Sequence, residues 1–189
     1  SDDTDPVERL YIQWGFSQFF PTKTMCAHVT SWNKQTSIKF RTDVAMMGKL
    51  GFDIGLKELS ADELAYCQTA VANYNRLKPA ILEGDLFRLV SPYSGNHASV
   101  MYVDKQQKQG VVFAFDIHPR YGEKLIPVKL QGLNPDIYYE VKEINLMPGK
   151  RSTCEANGKR YSGDYLMKVG LPLFTTGQTQ SHVIELNAQ

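Results

Sequence analysis

The sequence lacks an excess of either charge. Its 189 residues carry 21 Lys+Arg against 20 Asp+Glu, a formal net charge of +1. That balance excludes a nucleic-acid or anionic-membrane binder acting through bulk charge. There is no apolar run near the roughly 20 residues needed to cross a bilayer. Cysteine is scarce: Cys26, Cys67 and Cys154 are scattered, without a C-x-x-C pair, and His28, His97, His118 and His182 stand alone. Such spacing excludes a disulfide framework and a zinc site, and the cysteines read as free and buried. No fixed-period repeat and no low-complexity segment occurs. Nor is there an initiating Met, a basic n-region or an apolar h-region, so no targeting peptide is visible and the compartment is left unset. A chain that opens directly in Ser1–Asp5 is what a piece of a longer protein would look like. What is present is 42% hydrophobic and 11% aromatic residues, enough to pack a core in one domain or two small ones.

The first part reads as helical with one short strand. Asp5 suits an N-cap, Pro6 a first helical position, and Glu8 a capping-box partner. Val7, Leu10, Tyr11 and Trp14 follow at helical spacing up to Gly15. Residues 24–30 fit a buried strand. Thr36 to Leu50 return to helix, with Gly48 and Gly51 near its close. Ser60 and Glu63 open another helix, which carries Leu64, Cys67, Val71, Tyr74 and Leu77 before Pro79. Helix, buried strand, helix is the rhythm of an α/β unit, yet one parallel strand needs neighbours.

From Gly84 the pattern changes to short β-rich runs parted by turn formers. They are Leu86–Val90, Ala98–Val103, Gly110–Phe115, Leu125–Leu130, Tyr138–Ile144, Tyr165–Met167 and His182–Leu186. Seven such runs predict an antiparallel β-sandwich. The expected class is thus an α/β fragment over residues 1–83 followed by an all-β sandwich over 84–189.

Asp2, Asp3 and Asp5 form the densest cluster of functional type. On a loop between a strand and the Asp5 helix they would lie on the catalytic face of a (β/α)₈ barrel, where carboxylates from different loops can act as acid and nucleophile on a glycoside. Read locally, they cap the helix and favour its dipole. A calcium loop lacks its required glycine. His28 sits on the predicted strand as either a core residue or a group facing the same mouth. Trp14 and Trp32 could stack on sugar rings or pack in the core. Tyr102, Tyr138, Tyr139 and Tyr161 leave open a carbohydrate-binding face or cross-strand packing. Lys105 to Lys108 read as a solvated hairpin tip.

Five segments together resemble one family. Ser1–Asp5 followed by Glu8–Leu10 and Ile12–Gly15, then Met25–Thr30, then Arg41 with Val44–Phe52, then Gly84–Pro92, and lastly Gly163–Leu171 are similar, in order, to signatures of glycoside hydrolase family 36 α-galactosidases. The resemblance implies the last units of a (β/α)₈ barrel followed by a C-terminal antiparallel sandwich. It implies retaining hydrolysis of terminal α-galactosides of the melibiose and raffinose type by two aspartates, without metal or other cofactor. Asp2 matches the general acid/base, and Asp3 and Asp5 match its neighbours. The nucleophile motif and the sugar-contacting loop have no counterpart here, so the substrate-binding residues are unassigned and the piece alone is expected to be inactive. The implied partners are α-galactoside oligosaccharides, with no nucleic acid and no membrane, and a homo-oligomer of the full-length enzyme is left open. Readings of another kind are a carbohydrate-binding or purely structural sandwich, and within the enzymes a raffinose-synthase-like transglycosylase.

Overall fold

Asp5 starts the first helix as its sequence position predicts. Its carboxylate accepts from the backbone of Val7 at 2.8 Å and Glu8 at 3.2 Å, and Pro6 occupies the first turn of α1, Pro6–Phe16. A computed structural model describes residues 4–31 and 36–189 of the chain. Strand β1, Cys26–Thr30, leads to α2, Ile38–Ala45, whose N-cap Ser37 accepts from Phe40 N at 3.1 Å.

The helix expected to reach Leu50 stops at Ala45, and the chain turns into a second strand, β2, Lys49–Asp53. It pairs parallel to β1, from Cys26 opposite Lys49 to Thr30 opposite Asp53. Gly51 permits the pairing: a Cβ there would lie 2.5 Å from the His28 ring. Helix α3, Ala61–Glu83, opens on the expected capping box, with Ser60 N donating to Glu63 at 2.9 Å. It does not end at Pro79. A proline inside a helix costs about 3 kcal/mol, but Leu77, Ala80 and Ile81 are buried on this last stretch and their burial offsets that cost.

The rest is a six-stranded sheet in the order β3-β4-β5-β8-β6-β7, every pair antiparallel. Its strands are β3 Asp85–Val90, β4 His97–Val103, β5 Gln109–Asp116, β6 Tyr138–Ile144, β7 Arg160–Ser162 and β8 Gln180–Ala188. Alternation of side chains divides its burial between two cores. Val100, Tyr102, Val111, Phe113, Phe115 and Val183 join the core built by α2 and α3. Met101, Val103, Val112, Ala114, Ile184 and Leu186 join a second core on the other side.

That second core is closed by extended segments rather than by further ladder strands. Leu125–Leu130, expected as a strand, makes one isolated bridge, Val128 to Leu171, and Tyr165–Met167 lies in a short helix, α4, Gly163–Lys168. Ser162 caps α4 by accepting from Tyr165 N at 3.2 Å, which outweighs the β-tendency of the tyrosine. Leu130, Leu133, Leu166, Leu171 and Leu173 supply the apolar cover. The cysteines are free, but only Cys67 and Cys154 are buried; Cys26 is exposed, because the alternation of β1 points it away from the core.

Candidate functional site

On β1, Ala27 and Val29 are packed into the core with α2 and α3, which puts Cys26, His28 and Thr30 on the opposite face of the strand. By the same alternation Lys49, Gly51 and Asp53 of β2 share that face, while Leu50 and Phe52 pack inward. A parallel partner and an apolar face packed on helices are what a strand of a (β/α)₈ barrel carries next to its helix layer. Each of these strands has one neighbour among the described residues.

His28 is half-buried and lines a cavity of about 200 Å³ with Thr4, Arg9, Gln13, Met25 and Cys26, between α1 and the open edge of β1. Histidine and the start of α1 are therefore brought to one cleft. Asp2, Asp3 and Trp32 lie outside the described residues, whereas Asp5 is the cap that fixes how the chain enters α1. Arg9, one turn further, is buried. Trp14 packs against the core, as its helical face suggests.

At the C-terminal ends of β1 and β2 the buried Arg41 donates from Nη1 to Thr30 O at 2.8 Å. Burial pulls its guanidinium below the ordinary arginine value, with Glu63 and Cys67 opposing that shift. Glu63 is held below the usual carboxylate range by hydrogen bonds from Ser60 and by Arg41. With Ser31, Ser37 and Glu58 these groups border a cavity of about 250 Å³ between the starts of α2 and α3.

A polar joint that the sequence reading missed ties this part to the large sheet. Asp43 of α2, fully buried, accepts from Lys39 Nζ at 2.6 Å, Tyr66 Oη at 2.9 Å, Asn145 Nδ2 at 2.9 Å and Ser181 Oγ at 2.7 Å. Burial and the Asp43 charge push the Tyr66 phenol well up. Nearby, His182 Nδ1 meets Glu143 at 2.7 Å. Burial would raise Glu143, but hydrogen bonds from His182 and Ser152 outweigh it and hold the carboxyl below its usual range. The signal available in the sequence was an aspartate directly before the apolar run Val44–Met47.

The tyrosines divide. Tyr102 and Tyr139 are buried, donating to Met47 O at 2.7 Å and Gln107 O at 2.5 Å, so they belong to the packing. Tyr161 stacks on Tyr165 with centroids 5.0 Å apart, whereas Tyr138, opposite Ser162 in the register, is exposed on the other face of the sheet. Among the described residues no cluster of three or more His, Cys, Asp or Glu could hold a metal ion, and no helix is long and apolar enough to cross a membrane.

A family model described as Melibiase matches residues 1–84, and one described as the glycosyl hydrolase family 36 C-terminal domain matches residues 97–186. The chain belongs to glycoside hydrolase family 36. A probable alpha-galactosidase G of Aspergillus terreus is 32% identical over 195 residues, covering 100% of this chain and 25% of that protein. Alpha-galactosidase AgaA of Geobacillus stearothermophilus is 30% identical over 178 residues, covering 92% of this chain and 22% of that protein. Among solved structures, the family 36 alpha-galactosidase AgaB of Geobacillus stearothermophilus superposes over 100% of this chain and 25% of its own, with TM-score 0.86 and 31% identity. A variant of AgaA in complex with raffinose superposes with TM-score 0.85 and 29% identity over the same shares. The chain spans about a quarter of the length of these relatives. In this family frame the parallel pair β1–β2 belongs to the last units of a barrel, and the antiparallel sheet is the domain that follows.

Proposed function

We propose that this chain is the C-terminal quarter of a retaining α-galactosidase, in which Asp2 is the general acid/base. Residues 1–83 are the end of the catalytic barrel and 84–189 the C-terminal β-sandwich. The carrying observation is that the match to the Melibiase model includes Asp2 and that Asp5, three positions on, caps α1. The names of the relatives, and solved complexes of AgaA variants with raffinose and stachyose, favour α-galactoside oligosaccharides as substrates.

In the reaction Asp2 gives its proton to the glycosidic oxygen while an upstream carboxylate attacks the anomeric carbon. Asp2 then takes a proton from the water that releases the sugar, and the net result is retention. Retaining geometry sets the two carboxyl groups roughly 5–5.5 Å apart. An acid in this role needs its pKa raised by burial and by its partner's charge. Both come from upstream residues, so the 189-residue piece alone is inactive.

In the full-length parent, Asp2→Ala lowers turnover of melibiose by roughly 10²–10⁴-fold and costs much less on an aryl galactoside with a good leaving group, because acid assistance matters least there. Equal losses on both substrates would overturn the role, and turnover of an aryl α-galactoside by the isolated chain would overturn the dependence on upstream residues.

A further inference from the structure

Away from the β1–β2 cleft, the large sheet carries a second concave site. It lies where the β3–β4 connection meets residues 123–127 and Phe174, and encloses about 320 Å³. Small-molecule sites begin at roughly 300 Å³, so this is room for a sugar-sized molecule.

Its polar side is held from beneath. Asp116 is fully buried and accepts from His97 Nδ1 at 2.8 Å, Thr175 N at 3.1 Å, Thr175 Oγ1 at 2.8 Å and Gln180 Nε2 at 3.3 Å. That bond makes Nδ1 the protonated nitrogen and fixes the ring, which Phe174 stacks at 4.5 Å. His97 Nε2 is left buried without a hydrogen-bond partner, 3.4 Å from Glu123 Oε2. Above it, Asn96 Nδ2 donates to both oxygens of Glu123 at 3.2 Å; desolvation would raise the Glu123 carboxyl, but Asn96, Arg120 N and His97 together hold it below its usual range. His97 Nε2 is thus shielded from solvent and faces the carboxylate, so the ring links Asp116 to Glu123, and Glu123 and Asn96 are polar groups that border the cavity.

The opposite wall is apolar: Val90, Leu125, Ile126 and Pro127, with Ile126 68% exposed. Glu123 and Lys124 oppose one another in charge, which favours neither an anion nor a cation. A carboxylate and a carboxamide side by side accept from and donate to adjacent hydroxyls, and an apolar wall suits the C–H face of a pyranose ring.

We propose that this cavity is a non-catalytic binding site for a neutral mono- or disaccharide, held by Asn96 and Glu123 over the Asp116-supported His97 ring. It stands apart from the acid/base assignment, which is read in a different assay. The test uses the full-length parent with its active site filled by 1-deoxygalactonojirimycin, the ligand of a solved AgaA complex. Titration calorimetry with melibiose and maltose then reports a saturable event for at least one of them, with a dissociation constant on the order of 1 mM. Glu123→Gln, which keeps the shape, and Asn96→Ala, which keeps the fold of a half-exposed loop, each weaken it by about tenfold. Aryl-galactoside turnover is unchanged in both variants. Absence of any binding to the blocked enzyme, or binding that both variants leave intact, would overturn the site.

Discussion

The two sheets of this molecule solve the same problem differently. The parallel pair β1–β2 is covered by helices on one side, and its other face, with Cys26, His28, Lys49 and Asp53, is polar; each strand keeps one edge unpaired among the described residues. The antiparallel sheet buries both faces, so that β4 is buried along its whole length and β5 at all but its first residue. The parallel pair is joined by a helical crossover through α2, whereas in the large sheet β3, β4 and β5 follow one another directly and β8 arrives from far along the chain to join β5 to β6. The small sheet is stable here because α2 and α3 share one core with the large one.

The largest way to break that dependence is to cut the polar joint. Asp43→Ala leaves Lys39, Tyr66, Asn145 and Ser181 without their acceptor and costs about 3–5 kcal/mol in urea unfolding of the parent. A loss below about 1 kcal/mol would mean the joint is incidental. Phe113→Ala removes a fully buried ring from the shared core and costs about 3–5 kcal/mol as well, while Lys49→Ala on the polar face of β2 changes stability by less than about 0.5 kcal/mol. Similar costs for the two would erase the distinction between the faces.

A smaller effect concerns pH. The Glu143 carboxyl titrates lower in the folded chain than in the unfolded one, so its contribution is present above the unfolded value of about 4.3 and is lost as pH falls through the folded value. Glu143→Gln should therefore flatten the fall in stability as pH drops below about 4.3, relative to the parent; an unchanged slope would remove Glu143 from the acid response. Smallest of all is the exposed pair Lys105–Asp85 at the edge of the sheet, where Lys105→Ala is worth less than about 0.5 kcal/mol in the same unfolding assay.

Caps and alternation were legible in the sequence because they are local. Asp5, Ser60 and Glu63 act where their spacing places them. Strand β2 was hidden because the apolar run Val44–Met47 leads into it and carries no period that separates helix from strand. The close approaches of Gly48 to Met25 O and of Gly51 to the His28 ring accompany the change of state. Residues 125–130 read as a strand because they are apolar, yet they cover a sheet rather than extend it. The joint at Asp43 and the ring at His97 were beyond reach, since, Lys39 apart, their hydrogen-bond partners lie 19 to 138 positions away in the chain. Of the candidate site, His28 and the Asp5 cap are brought toward one cleft, whereas the role of Asp2 rests on family likeness.

One detail of the sheet order bears on biosynthesis. Strand β8 lies between β5 and β6 although it follows both in the chain, and it carries Ser181, His182 and Glu185, which bond to Asp43, Glu143 and Arg76. A ribosome must therefore deliver residues 180–188 before either core can close. A folding intermediate that lacks this one strand leaves β5 and β6 without their shared neighbour and both cores open at once, so apolar surface stays exposed until residues 180–188 dock.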